Sequence, residues 1–214
     1  MKKIVIFDFD GTIADTRPII LSSFHGTFDA MGLAQHSDEE ISATIGLPLV
    51  KAFPILNPMS EEKAEQCTAA YREIFEKVSQ KVKVQMFAHV PDTLRSLHNQ
   101  GCICTIATSR GHASAKDFIK SFGLNDIITY IIAAENVKQA KPNPEPVNRT
   151  LVHFNAKPED AVVVGDTHFD ILMGNNAGCF TVGVSYGYGS RESLIKAGAD
   201  AIIDDITSLT ELLL

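Results

Sequence analysis

The stretch IVIFDFDGTIADT, residues 4–16, runs from a short apolar segment directly into two aspartates. Consecutive apolar residues of this kind are typical of a strand that is buried on both faces of a parallel sheet. Along an extended chain Asp8 and Asp10 project to one side and Phe9 to the other, and Gly11 allows a sharp turn. Two carboxylates at that spacing can face one substrate or one metal ion. Taken alone, the stretch fits a turn with solvated aspartates equally well.

Other runs rich in Val and Ile recur along the chain and alternate with longer amphipathic segments. That alternation predicts parallel strands with crossover helices, an α/β fold with a Rossmann-like doubly wound sheet. The predicted strands are residues 3–8, 102–107, 129–133, 161–165, 180–184 and 201–203. The predicted helices are residues 90–100, 112–122, 144–154, 168–177, 190–197 and 205–213.

Residues 16–85 interrupt this alternation, because they contain no convincing strand and are typical of several helices. Ser60 begins one amphipathic segment as a plausible N-cap, with two glutamates in the first turn. A helical block of about 70 residues is too long for a crossover connection. We therefore expect a core domain of residues 1–15 and 86–214 that carries a small α-helical cap domain of residues 16–85.

Composition limits the partners of the chain. A net charge of -7 disfavours a surface that binds nucleic-acid phosphates. The N-terminal apolar run is too short for a signal peptide, and no segment approaches the roughly 20 apolar residues of a membrane span. The four cysteines have neither metal-ligand spacing nor the density of a disulfide scaffold. We expect a reduced, cytoplasmic protein, monomeric or homodimeric, that binds neither nucleic acid nor membrane.

Polar residues follow three of the predicted strands. Asp8 and Asp10 follow the first, Thr108 and Ser109 follow CICTIA, and Asp166 follows AVVVG. Ligands of open parallel sheets gather at the carboxyl ends of the strands, so these side chains are expected at one rim. Taken singly, Thr108 is more typical of a helix cap.

Four motifs occur in a fixed order: DFDGT at 8–12, TS at 108–109, KPNPEP at 141–146 and GDTHFD at 165–170. In these motifs the chain resembles the haloacid dehalogenase superfamily, in particular its phosphatase branch with a helical cap. The tail VGVSYGYGSRESLIKAGADAIIDDITSL, residues 182–209, resembles the phosphoglycolate phosphatase group. The resemblance covers essentially the whole chain.

The resemblance implies a role for each motif residue. Asp8 would attack phosphorus and form an aspartyl-phosphate, and Asp10 would protonate the leaving alkoxide and later activate water. Lys141, by itself more typical of a solvated loop lysine, would offset the charge of Asp8 and the phosphate. Thr108 and the Ser109 backbone N–H would hold phosphate oxygens.

A Mg²⁺ cofactor is also implied by the resemblance, because a carboxylate must approach an anionic phosphate. Asp8, the backbone carbonyl of Asp10 and Asp166 would supply the protein ligands. Asp170 would support them, either through a water or as an orienting neighbour.

Further substrate contacts are expected near the phosphate and in the cap. Gly11 permits close approach of the backbone to the phosphate, and TIGLPLVKAF at 44–53 resembles a substrate-reading cap loop with Gly46 and Lys51 as candidates. Lys51 as a solvated helix lysine is the alternative. Arg110 departs from the Lys or Asn common after this motif, and is interpreted either as a substrate contact or as a surface cation.

Three histidines lie near the motifs, and the mechanism requires none of them as a catalyst. His89 is expected to be a structural hinge residue at the start of the second core helix. His112 and His168 follow or lie within motifs and have no assigned role.

The predicted function is a Mg²⁺-dependent phosphatase acting on a small phosphomonoester, with 2-phosphoglycolate as the best single guess. Inorganic pyrophosphatase, nucleotidase, sugar-phosphate phosphatase and β-phosphoglucomutase share this apparatus and stay open. A phospho-receiver signalling domain is disfavoured because its phosphoacceptor lies after a later strand and it has no inserted cap. A catalytically silent binding protein is disfavoured because all the motif residues are present.

Overall fold

The computed structural model describes residues 4–213 and contains a central sheet of six parallel strands, with a second sheet of two short strands. The strands are β1 (Ile4–Phe7), β2 (Ala14–Asp15), β3 (Gln85–Met86), β4 (Ile103–Ala107), β5 (Ile128–Ile132), β6 (Ala161–Gly165), β7 (Phe180–Val184) and β8 (Ala201–Ile203). The helices are α1 (Arg17–Met31), α2 (Asp38–Ser42), α3 (Leu49–Leu56), α4 (Glu61–Ser79), α5 (Val90–Asn99), α6 (His112–Ser121), α7 (Glu145–His153), α8 (His168–Asn176), α9 (Arg191–Lys196) and α10 (Ser208–Leu213).

The six strands predicted from the sequence are confirmed to within one residue at each end. Residue 3 of the first predicted strand, and residues 1–3 and 214 of the predicted core domain, lie outside the described residues. Within residues 4–213, no helix combines the length and the apolar character that crossing a membrane requires.

The strand order β5-β4-β1-β6-β7-β8 places β1 at the centre of the sheet. From β1 the chain builds outward through β4 and β5, then returns to the other side of β1 to form β6, β7 and β8. Ligands of such sheets bind in the crevice where the strand order reverses, beyond the carboxyl ends of the strands. Asp8, Thr108 and Asp166 follow the three strands that meet there.

Both faces of β1 are buried, which explains its uninterrupted apolar sequence. Val5 and Phe7 belong to a cluster that also contains residues of α5, α6 and α10. Ile4 and Ile6 belong to a cluster on the opposite side, with residues of α7 and α8. Fully burying a side chain such as Phe7 contributes about 1.5–3 kcal/mol. The doubly wound sheet is confirmed by this two-sided packing.

The helices α1–α4 enclose a hydrophobic cluster of their own, composed of Ile20, Phe24, Phe28, Ile41, Ile45, Ala52, Phe53, Leu56, Cys67 and Tyr71. Phe24 is central to it, with its ring centroid 5.1 Å from that of Phe53 and 5.0 Å from that of Tyr71. The expected N-cap of α4 is found, since Ser60 accepts a hydrogen bond from the Lys63 N–H. The division into a core and a cap of residues 16–85 stays a prediction, which this separate cluster supports.

A small antiparallel sheet lies where the chain leaves and rejoins the core. Asp15 of β2 pairs with Gln85 of β3, and Ala14 pairs with Met86. The expectation that residues 16–85 contain no strand is therefore wrong at residue 85. Two-residue strands are too short to produce a recognisable alternation of apolar and polar residues.

Tyr188, in the loop after β7, caps the first helix of the inserted segment. Its hydroxyl oxygen accepts hydrogen bonds from the backbone N–H groups of Thr16 and Arg17, at 2.7 and 2.8 Å. Thr16 provides no side-chain cap to α1. A side chain distant in sequence therefore satisfies donors that a helix start otherwise leaves unpaired.

We expect Tyr188→Phe to lower the free energy of unfolding by about 1–3 kcal/mol, because two partly buried N–H groups lose their acceptor. Urea denaturation of the wild type and the variant measures this difference. Tyr130→Phe on β5 controls for the loss of a tyrosine hydroxyl and should change stability by less than about 0.5 kcal/mol. Equal stability of the wild type and Tyr188→Phe would contradict the capping role.

Candidate active site

Three buried carboxylates meet at the crevice. Asp8 follows β1, Asp166 follows β6, and Asp170 lies in the first turn of α8. One oxygen from each lies within 4.8 Å of the others, and the residues are 5%, 0% and 1% exposed. Asp170 is oriented by a capping box, in which its Oδ2 accepts hydrogen bonds from the N–H and the hydroxyl of Thr167 at 3.0 and 2.7 Å.

Lys141 supplies the positive charge of this cluster. Its Nζ donates to Asp8 Oδ1 and to Asp170 Oδ1, each at 2.5 Å. The lysine is only 2% exposed, so its interpretation as a solvated loop residue is wrong. The motif lysine and the first aspartate, 133 residues apart in sequence, are thus in direct contact.

The electrostatics of the cluster follow from its burial. Burial raises the pKa of Asp8, and the carboxylates of Asp170 and Asp166 add to this, while Lys141 opposes it. Burial and the neighbouring Asp170 raise the pKa of Asp166 to about 7. For Lys141 the carboxylates outweigh burial, so its pKa is raised as well. The cluster contains three carboxyl groups and only one ammonium, so its carboxylates are not fully neutralised by Lys141.

The same carboxylates could hold a cation. Each of Asp8, Asp166 and Asp170 offers carboxylate oxygen, and this donor set suits hard divalent ions such as Mg²⁺ better than metals that prefer sulfur or imidazole. The carboxylates that Lys141 does not neutralise also favour the binding of a cation. Of the predicted ligands, the structure brings together the carboxylates of Asp8 and Asp166 with Asp170 nearby, and these fit a hard divalent cation. The part of the Asp10 backbone carbonyl stays a prediction.

Three glycines pack against Asp166 and leave no room for a side chain. Gly11 has φ +90°, and a Cβ there would lie 2.2 Å from Asp166 Oδ2. A Cβ on Gly187 would lie 2.3 Å from Asp166 Cβ, and one on Gly189 would lie 2.1 Å from its carbonyl oxygen. Between them, the Tyr188 N–H donates to Asp166 Oδ2 at 2.8 Å. The G-Y-G turn, interpreted from sequence only as the mark of a subgroup, is thus part of the site.

Sequence reasoning also missed two threonines that bind the motif acids. Thr12 donates through Oγ1 to Asp166 Oδ1 at 2.9 Å. Thr16 donates through Oγ1 to Asp10 Oδ1 at 2.5 Å. Their positions just after the first aspartate pair were the available signal, since hydroxyls beside carboxylates serve as hydrogen-bond donors.

Arg110 lies inside the site, and its interpretation as a surface cation is wrong. Its side chain is 6% exposed, and Nε donates to Asp10 Oδ2 at 3.2 Å while Nη2 donates to Asp10 Oδ1. Asp10 and Arg110 both line the cavity that borders Asp8. The second motif aspartate is therefore held by an ion pair that the sequence did not predict.

Thr108 and Ser109, both expected to bind phosphate, line the same cavity. Thr108 is buried, and its Oγ1 accepts a hydrogen bond from the Arg110 N–H at 3.1 Å. The Ser109 hydroxyl donates to the Gly46 carbonyl at 2.6 Å, which joins this rim to the inserted helices. Gly46 has φ +101°, and a Cβ there would lie 3.2 Å from the Phe169 ring. Gly46 thus lines the cavity, and its contact with substrate stays a prediction.

Lys51 lies at an exposed position of α3. Within residues 4–213, the cavity lining includes neither Lys51 nor His112 nor His168. The exposure of Lys51 fits the alternative of a solvated helix lysine, and its contact with substrate stays a prediction.

The histidine at the hinge has a structural environment. His89 begins α5 with a positive φ of 63°, and its Nδ1 lies 2.7 Å from Asp205 Oδ2. This contact joins the segment after β3 to the loop before α10, and the hinge role of His89 stays a prediction.

A cavity of about 1200 Å³ lies between the strand ends and the inserted helices. Asp8, Asp10 and Thr108 line its core side, and Phe24 of α1 and Phe75 of α4 line the opposite side. The cavity is large enough for a small organic molecule, since pockets that bind such ligands typically have volumes of about 300–1,000 Å³. A ligand there would contact both the acidic cluster and the helices.

Comparison with known proteins agrees with this geometry. The sequence profile of the haloacid dehalogenase-like hydrolases matches residues 5–184. Pyrophosphatase PpaX of Halalkalibacterium halodurans is 32% identical over 208 residues, 97% of this chain and 95% of that protein. The probable phosphatase IndB of Dickeya dadantii is 32% identical over 212 residues, 98% of this chain and 92% of that protein.

Solved structures share the fold along their whole length. A predicted phosphatase from Clostridium acetobutylicum superposes with a TM-score of 0.91 at 24% identity, covering 100% of this chain and 98% of its own. A predicted phosphoglycolate phosphatase from Haemophilus somnus superposes with a TM-score of 0.89 at 21% identity, covering 99% and 98%. At these identities the likeness establishes the architecture.

The acidic cluster predicts how stability depends on pH without divalent metal. A carboxyl whose pKa is raised on folding binds more protons in the folded chain, so its contribution to stability falls as pH rises. For Asp166 the loss of stability begins near pH 3.9, which is about the pKa of an aspartate in an unfolded chain. It continues up to a pH of about 7, the pKa of Asp166 in the folded protein. Asp166→Asn should therefore show a shallower loss of stability over this range, measured by denaturant unfolding at several pH values. Parallel curves for the two proteins would contradict the raised pKa.

Proposed function

We propose, since this chain belongs to the haloacid dehalogenase-like hydrolase family, that it is a Mg²⁺-dependent phosphatase that hydrolyses a small phosphomonoester through an aspartyl-phosphate on Asp8. The observation that carries the proposal is the position of Asp8. It lies at the switch point of the sheet, 2.5 Å from a buried lysine and beside two further carboxylates. Relatives with 32% identity over nearly the whole chain carry phosphatase names.

In the first step an Asp8 carboxylate oxygen attacks phosphorus, and the bond from phosphorus to the ester oxygen breaks. Asp10 gives a proton to the departing oxygen. Asp10 then takes a proton from the water that attacks the aspartyl-phosphate, which releases phosphate and restores the Asp8 carboxylate. Both aspartates line the same cavity, so one bound ester can contact both.

Lys141, Thr108 and the Ser109 N–H provide the binding of the phosphate in this proposal. Lys141 offsets negative charge next to Asp8, and Asp170 holds its ammonium in place. When bound, Mg²⁺ at Asp8, the Asp10 carbonyl and Asp166 would offset the charge of the transferring group. Asp170 acts as an orienting neighbour in this scheme, because its Oδ1 accepts a hydrogen bond from the Lys141 ammonium that also contacts Asp8.

The preferred substrate is 2-phosphoglycolate, supported by the G-Y-G tail, which contributes directly to the acidic site through Tyr188. Pyrophosphate is the second candidate, because relatives with 32% identity are named pyrophosphatases. The same apparatus serves nucleotides and sugar phosphates. Their discrimination depends on the helices that face Asp8 across the cavity.

We expect Asp10→Asn to lower kcat by about 10²–10⁴-fold, the usual contribution of a general acid and base. Release of inorganic phosphate, with the unfolding curve recorded in parallel, measures the effect. Asp92→Asn on α5 is the matched control, since its side chain is 89% exposed and away from the cavity. Near-normal turnover by Asp10→Asn would overturn the assignment.

A panel of substrates tests the specificity. We expect phosphate release to require Mg²⁺, to stop when the metal is chelated, and to show the highest kcat/KM for 2-phosphoglycolate. Pyrophosphate, a nucleoside monophosphate and a hexose phosphate complete the panel. A higher kcat/KM for pyrophosphate would replace the preferred substrate, and isomerised hexose phosphate without free phosphate would indicate a mutase.

A further inference from the structure

The guanidinium of Arg110 has a partner on each of its three nitrogens. Nε and Nη2 donate to the two oxygens of Asp10, and Nη1 donates to Ser114 Oγ at 2.9 Å. A planar fork that contacts both oxygens of a carboxylate restricts its rotation, which a single point charge does not. All three nitrogens of Arg110 are therefore hydrogen-bonded to Asp10 or to Ser114 of α6.

Aromatic rings enclose the same guanidinium. Its central carbon lies 5.4 Å from the ring centroid of Phe9 and 5.0 Å from that of Phe118, both in the core. The third ring, at 4.8 Å, belongs to Phe75 of α4, which is one of the inserted helices. A cation enclosed by aromatic faces is stabilised there, and more strongly when water is excluded. The position of Arg110 thus depends partly on the packing of α4 above it.

The two oxygens of Asp10 have different partners. Oδ1 accepts hydrogen bonds from both Thr16 Oγ1 and Arg110 Nη2. Oδ2 accepts the longer contact from Arg110 Nε, at 3.2 Å. Since each carboxylate oxygen has two lone-pair sites, Oδ1 is saturated and Oδ2 keeps one site free. Oδ2 is consequently the oxygen able to exchange a proton with a substrate.

We propose that Arg110 is the positioning residue of Asp10: it anchors Oδ1 and orients Oδ2 toward the leaving group, and Phe75 of α4 holds Arg110 in that place. The proposal rests on the proposed function, in which Asp10 protonates the departing oxygen. It assigns Arg110 no contact with substrate. The packing of the inserted helices against the core then affects the orientation of the proton donor.

The dependence of the rate on the leaving group distinguishes this role. An alkoxide departs only with a proton, whereas p-nitrophenolate departs without one, so only the alkyl ester depends strongly on a well-placed acid. We expect Arg110→Lys, which keeps the charge and loses the fork, to lower kcat/KM for an alkyl phosphate by about 10²-fold. For p-nitrophenyl phosphate kcat/KM should stay within about threefold of wild type, because kcat/KM covers the steps up to departure of the first leaving group and leaves out the later attack of water, in which Asp10 also acts.

Three further variants complete the experiment. Asp10→Asn should show the same selective loss of kcat/KM on the alkyl ester. Phe75→Leu leaves every atom that touches Asp10 in place and should show a smaller loss of the same selectivity. Arg191→Lys, in an exposed ion pair with Asp204, should leave both rates unchanged. Unfolding curves of all variants establish that each is folded.

The outcomes separate the two proposals. Equal losses of kcat/KM on both esters in Arg110→Lys, with KM unchanged, would show a structural role, and equal losses that come from a raised KM would show a substrate contact. Either result overturns the positioning role while phosphate release by the wild type still supports the proposed function. Failure of the wild type to release phosphate from any ester would overturn the proposed function itself. Phe75→Leu with wild-type rates would remove the part assigned to α4.

Discussion

The ion triad of Asp8, Lys141 and Asp170 is the interaction on which the rest of the site depends. A buried charge is costly unless it is paired and hydrogen-bonded, and here one ammonium contacts two carboxylates at 2.5 Å. Asp8 directly follows β1, Asp170 lies in the first turn of α8, and Lys141 lies in the loop before α7. Holding them together requires the strand order that brings β6 beside β1. The fold and the charge arrangement are therefore coupled.

Asp166 adds a further carboxylate to this triad, and its surroundings explain the shape of the site. Backbone from both ends of the chain, at Gly11 and at the 187–189 turn, packs directly against it. The Tyr188 N–H binds Asp166, while the Tyr188 hydroxyl accepts the N–H groups that begin α1. One residue therefore connects the acidic site to the start of the inserted helices.

The sequence predicted the sheet because its central strands, such as β1 and β6, are buried on both faces and their apolar runs are unbroken. It predicted the rim residues because a polar side chain directly after such a run lies at the carboxyl end of its strand. It missed β2 and β3, which are too short to show periodicity. It left Lys51 open between a substrate contact and a solvated helix lysine, because a loop resemblance does not assign the faces of the helix. Arg110 was ambiguous because an arginine has no sequence mark that distinguishes a buried ion pair from an exposed one.

The sequence by itself determined the α/β architecture, the order of the four motifs and the presence of Asp8, Asp10, Lys141 and Asp166 at strand ends or in loops. These features follow from local patterns, which hydrophobic burial and chain geometry translate directly into structure. Only the tertiary structure decided which charges pair, because a pairing such as that of Arg110 with Asp10 spans 100 residues and depends on distances of a few ångströms. The tertiary structure also decided that Lys51 is exposed. It likewise decided that Tyr188 contacts both Asp166 and the start of α1.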